Sequence, residues 1–137
     1  MRVVLDTNIF VSALISPKGP SSKAFGLWKE GVYDLITSSQ QLEELRNVSR
    51  YARIKNRVVK SEVGSFINQL KANALMFDKL PVLDISPDPD DNVILATALV
   101  GKAQIVVTGD KADLLSLEKV GGIRILGVNT FLRLFSA

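Results

Sequence analysis

The chain has 137 residues, 47% apolar and 23% charged, with seventeen basic against fourteen acidic side chains and a net charge of +3. That balance excludes a disordered or fibrous chain and suits one domain, residues 1–137, with room for a real core. Histidine and cysteine are both absent, which excludes a disulfide framework, an ordinary zinc site and a histidine-assisted nucleophile, and no apolar run approaches the roughly 20 residues of a membrane span.

Arg2 to Leu5 reads as a buried strand ending at Asp6. Charge arrives too early there for a signal peptide, so the cytoplasm is the expected location. Ser22 to Glu30, stopped by Gly31, has the pattern of a helix, and Val32 to Thr37 that of a second strand. Ser38 and Gln41 then have capping-box spacing and open a helix with Leu42, Leu45 and Val48 inward. A long helix is expected from Ser61 to about Phe77, carrying Val63, Phe66, Ile67, Leu70 and Ala74 at helical spacing, followed by a short strand over Pro81 to Ile85.

Asp88-Pro89 makes an N-cap and N1 pair for a helix through Leu99 that stops at Gly101. Gln104 to Thr108 is a β-branched strand ending at Gly109-Asp110. Asp113 is expected to cap a short helix, Gly121-Gly122 to break it, Ile123 to Leu126 to form the last strand, and a helical turn around Phe131 to Phe135 to close the chain. Alternating strands and helices with buried-type strands imply a parallel sheet covered on both faces, with ligands at the carboxyl ends of the strands.

Acids from four distant segments reach that edge: Asp6, Glu44, Asp91 and Asp110. Each has a plainer explanation as well. Asp6 in Asp6-Thr7-Asn8 reads equally as a helix cap or Asx-turn. Glu44 lies about 100° from the centre of its helix's apolar stripe and Glu43 about 160°, so Glu43 faces water and Glu44 reaches over a rim. Asp88 and Asp90 suit a helix N-terminus, but three aspartates in four positions exceed what a cap requires, and Asp91 begins the buried side. Together the four acids repel unless a cation neutralises them, and carboxylates favour Mg²⁺ or Mn²⁺. With no histidine present, metal-activated water and phosphodiester hydrolysis are the natural chemistry.

Arg46, Arg50, Arg53, Lys55, Arg57 and Lys60 form a run with no acid between positions 46 and 60. The run reads equally as a solvated helix end and as a wall that tracks RNA phosphates, with Tyr51 able to stack a base.

The motifs resemble the PIN-domain family. Val4-Leu5-Asp6-Thr7-Asn8-Ile9-Phe10-Val11-Ser12-Ala13-Leu14 is similar to the opening of its branch of toxin components of toxin–antitoxin systems, near the VapC-type ribonucleases. Ser38 to Leu45 resembles the second motif, with its acid at Glu44; Asp88-Pro89-Asp90-Asp91-Asn92 with Ala96-Thr97-Ala98 resembles the third, with its acid at Asp91. Val107-Thr108-Gly109-Asp110-Lys111-Ala112-Asp113 resembles the fourth, with Asp110 as ligand.

The resemblance implies a three-layer α/β/α sandwich around a mostly parallel sheet and Mg²⁺- or Mn²⁺-dependent cleavage of RNA, single-stranded or in structured loops. It implies that Asp6, Glu44, Asp91 and Asp110 serve as catalytic and metal-binding residues, supported by Asn8, Thr108, Asp88 and Asp113. An antitoxin protein and a second copy of the chain are the expected partners, with no membrane. One departure is Gly127-Val128-Asn129-Thr130-Phe131, where that branch usually has a proline and a glutamate. The competing readings are a PIN-like binding module without catalysis and a receiver-type phosphotransfer domain. Against the second, the first strand supplies one acid rather than a pair.

Overall fold

The computed structural model describes residues 1–109 and 112–136, with the side chains of Ala52, Arg53 and Ala112 left aside. Asp110 and Lys111 lie outside the described residues. The elements run β1 (Arg2–Leu5), α1 (Thr7–Ile15), α2 (Pro20–Lys29), β2 (Asp34–Ser38), α3 (Ser39–Val48), α4 (Ala52–Lys55), α5 (Lys60–Asn73) and β3 (Leu75–Phe77). There follow α6 (Pro89–Val100), β4 (Ile105–Thr108), α7 (Ala112–Leu115), β5 (Lys119–Val120), β6 (Ile123–Gly127) and α8 (Val128–Arg133).

The strands form one sheet in the order β3-β2-β1-β4-β6-β5, parallel except for the β5–β6 pair. From β1 the chain builds outward on one side through β2 and β3, then returns to the other side with β4. The edge beyond β1 and β4 is therefore the switch point at which open α/β sheets form a crevice. Val3, Val4 and Leu5 are fully buried because β1 is covered on both faces. Strand alternation divides them: Val3 and Leu5 join one cluster, which contains Phe10, Phe25, Trp28 and Phe131, while Val4 joins the other with Ile94, Leu95 and Leu114. Helices α1, α2, α3, α5 and α8 thus cover one face, and α6 and α7 the other.

Two contacts orient the helices around the crevice. Arg2 Nη1 donates to the Gly101 carbonyl at 2.9 Å, holding the end of α6 at the start of β1. A Cβ on Gly101 would collide with Ile36, so only glycine allows α6 to end this close to β2. The opposite end of α6, with Asp91, therefore points to the carboxyl edge of the sheet. On the other face, Phe66 of α5 stacks on Phe25 at 4.4 Å between ring centroids and meets Phe10 edge-on at 5.6 Å. Burial pushes the Tyr33 hydroxyl well above the ordinary tyrosine range, and it stays protonated to donate to the Ala24 carbonyl at 2.7 Å.

Several local expectations are corrected. The periodic apolar stretch expected to be helix to Phe77 ends at Asn73, and Leu75–Phe77 turns into an edge strand beside β2. The strand expected over Pro81 to Ile85 does not form. Its place at the sheet edge is taken by β3, and Pro81 has no amide to offer a ladder. Gly121-Gly122 is a hairpin turn between β5 and β6, with Gly121 at φ +59°, rather than a simple helix break. Asp113 lies inside the first turn of α7 and is not its cap. Helix α1 was not anticipated from Ile9-Phe10-Val11, whose apolar run lacks a polar face.

Candidate active site

Asp6 leaves β1 with its amide still donating to the Val107 carbonyl of β4 at 2.8 Å. It occupies the N-cap position of α1, yet its side chain makes no capping bond. Its carboxylate instead accepts a hydrogen bond from Thr108 Oγ1 at 2.9 Å, and both residues are essentially inaccessible to solvent. The capping explanation for Asp6 therefore fails at the side chain. A buried carboxylate needs donors or a cation to offset its lost hydration, and the neighbouring strand supplies a donor.

Glu44 is half-buried on α3 while Glu43 faces water. Thr7 Oγ1, the residue after Asp6, donates to Glu44 Oε2 at 3.1 Å and so joins the second acid to the first. The helix itself is locked to the end of β1: Gln41 Nε2 donates to the Leu5 carbonyl at 2.6 Å, and Gln41 Oε1 accepts from Thr37 Oγ1 at 2.7 Å. Ser38 caps α3 through its bond from the Gln41 amide, so half of the expected capping box forms. The glutamine side chain reaches into the site's floor rather than back to Ser38.

Asp91 is fully buried at the start of α6 and accepts from Ser86 Oγ at 3.0 Å. Asn92 braces the preceding loop by accepting from the Ile85 and Ser86 amides and donating to the Ser86 carbonyl. Asp88 caps the helix through the Asp90 amide at 3.0 Å, which gives it a structural task. Thr97, two turns further on, donates to Ser38 Oγ at 3.0 Å and sets α6 against the end of β2.

Asp6, Glu44 and Asp91 thus arrive at the same sheet edge, and Thr108-Gly109 leads toward Asp110, outside the described residues. Asn8 is exposed, and so is Asp113. Sequence reasoning missed the supporting roles of Thr7, Gln41 and Ser86; for Thr7 and Ser86, hydroxyls near the acids were the available signal. Among the described residues no three acids by themselves form a metal-holding group. The donor chemistry nonetheless fits a hard divalent cation, because every candidate ligand offers oxygen only.

The predicted basic residues gather elsewhere. Arg46, Arg50 and Lys55, with Lys60, stand around a cavity of about 560 Å³ between α3 and α5. Arg57 is exposed and does not line it, Tyr51 is half exposed nearby, and the Arg53 side chain is outside the described set. At about 100° per residue, Arg46 falls on the flank of α3 opposite Glu44, and Arg50 follows just beyond the helix's end.

The family described as PIN domain matches residues 2–112, and the chain belongs to it. The uncharacterized protein MJ1680 of Methanocaldococcus jannaschii is 32% identical over 124 residues, 86% of this chain and 76% of that protein. Among solved structures, the fold is similar to that in VapBC2 from Rickettsia felis bound to a DNA fragment from their promoter. The TM-score is 0.61 at 18% identity, over 93% of this chain and 98% of that one. Among the described residues, no helix is long and apolar enough to cross a membrane.

Proposed function

We propose that this protein is an endoribonuclease that hydrolyses RNA phosphodiester bonds with Mg²⁺ or Mn²⁺ held by Asp6, Glu44, Asp91 and Asp110. The observation that carries the reading is Asp6: a buried carboxylate at the switch point, held by Thr108 and withdrawn from the helix cap it occupies in sequence. A metal ion there would offset carboxylate repulsion, polarise the phosphoryl oxygens and supply an activated water at neutral pH. The chain's own part is to fix the acids. Thr108, Thr7 and Ser86 each orient one carboxylate by donating a hydroxyl proton, while Gln41 and Thr97 hold the two helices in register. The cations around the α3–α5 cavity attract the phosphate chain.

The likeness to VapBC2 supports the further reading that the protein is the toxin of a toxin–antitoxin pair, cytoplasmic, dimeric and bound by an antitoxin encoded beside it. The test is cleavage of an end-labelled single-stranded RNA. The parent should cut with Mn²⁺ and stop with chelator, and Asp6→Asn should lose activity with an unchanged fold by circular dichroism. Cleavage by Asp6→Asn at the parent rate removes Asp6 from the site. A parent that binds RNA and never cuts it points to the binding-module reading.

A further inference from the structure

Gly64 sits in the interior of α5, where a Cβ would meet nothing within 4 Å. Glycine is a poor helix former, and no tight packing here calls for one. What its missing side chain does is open the cavity between α3 and α5. Lys60, Val63, Gly64, Ile67 and Asn68 fall on one face of α5 at i, i+3, i+4, i+7 and i+8. Facing them are Arg46 of α3 and Arg50, just beyond the end of that helix.

The chemistry of the cavity is mixed in a particular way. Val63 and Ile67 make an apolar floor, Asn68 and Asn56 offer donors and acceptors, and among the described side chains four cations and no acid line it. Its volume, about 560 Å³, falls within the range of about 300–1,000 Å³ typical of small-ligand sites. A ligand with an apolar face, a hydrogen-bonding edge and attached anionic groups satisfies all three features. An unpaired nucleotide has them and can enter directly, whereas a base inside a duplex must first be unpaired and unstacked, which costs binding free energy.

We propose that this cavity is an exosite that holds one unpaired nucleotide of the RNA, on the side of α3 away from the carboxylates. The inference rests on the ribonuclease reading for its ligand but not for its test. An exosite contact made equally in the ground and transition states lowers KM and leaves kcat alone.

Binding is measured by fluorescence anisotropy in chelator, so no cleavage and no metal site are required. The probe is a labelled ten-nucleotide single strand, compared with the same strand in a duplex. The parent should favour the single strand. Gly64→Met, which fills the cavity from a position with open space, should weaken single-strand binding about tenfold. Gly64→Ala should bind nearly as the parent, and both should melt no lower than it. In Mn²⁺ assays, Gly64→Met should raise KM at constant kcat.

Equal affinity of Gly64→Met and parent for the single strand overturns the proposal, as does equal binding of single strand and duplex. Full competition by a short Glu/Leu peptide that Gly64→Met abolishes, with no effect of that variant on RNA, reassigns the cavity to a protein partner. Should Gly64→Met melt early, Asn68→Ala replaces it, with the same loss of single-strand preference expected. If nothing is cut in Mn²⁺ while Gly64→Met still weakens binding, the nuclease reading fails and the nucleotide site stands.

Discussion

Helix α3 carries two regions of opposite build. On one flank Glu44 is half-buried and fixed by Thr7, close to an Asp6 that Thr108 holds out of solvent. On the other, Arg46 stands at an open cavity together with Arg50, which is exposed just past the helix's end. The acids are held by short side chains whose backbones belong to the sheet, the first turn of α1 and the loop that Asn92 braces before α6, so their positions are set before any ligand arrives. The cations are long and solvated, and can follow a ligand that varies in sequence. Loss of a hydroxyl donor on the acidic flank should therefore cost rate and stability together, whereas changes on the basic flank should alter affinity and leave the fold alone.

The strongest way to break that contrast is to ask whether the acidic flank answers to metal. Mn²⁺ that binds only the native state adds RT ln(1 + [L]/Kd), about 2.7 kcal/mol at a hundredfold excess over Kd. The parent should melt higher in Mn²⁺ than in chelator by scanning fluorimetry. Asp91→Asn should lose most of that shift, yet be neutral or more stable in chelator. It removes a repelling charge, and its amide oxygen still accepts from Ser86. Equal metal responses in parent and mutant would exclude Asp91 as a ligand; a parent without any response would undo the metal site.

Next in size is Thr108→Val, which keeps the shape of a fully buried residue and deletes the hydroxyl that Asp6 accepts from. Loss of such a donor beside a buried acid costs about 1–3 kcal/mol. Loss of an orienting partner of a metal ligand costs about ten- to a hundredfold in activity. Urea melts and single-turnover cleavage measure the two. A stable, fully active Thr108→Val would mean that the acid is positioned by something other than its neighbour's hydroxyl.

Most of the parallel sheet was legible because β1 and β4 are short, β-branched apolar runs between turn signals, the pattern of a doubly covered strand. The separation of Glu43 from Glu44 was legible too, since one helical stripe fixes both angles. What remained hidden depends on pairing between distant segments. The edge strand Leu75–Phe77 exists because β2 leaves a place beside it, and nothing local distinguishes it from the tail of α5. Likewise Asp6 occupies a capping position, and only Thr108, 102 residues away, shows what its carboxylate does instead. The basic run read as a linear tract, whereas the fold brings only part of it to the cavity. Arg46 and Arg50 reach the cavity and Arg57 does not.

That selection gives the smallest and sharpest prediction. Arg50→Gln removes an exposed charge, so its melting free energy should stay within about 0.5 kcal/mol of the parent. Its affinity for the ten-nucleotide single strand should fall, and the slope of log affinity against log salt should flatten by about one for the lost phosphate contact. Arg57→Gln removes the same charge from the same sequence tract, but from a side chain outside the cavity. If cavity geometry governs the contact, Arg57→Gln leaves the slope of this short strand unchanged. If the two variants flatten the slope equally, the tract acts as a diffuse positive field, because net charge alone cannot tell one position from the other.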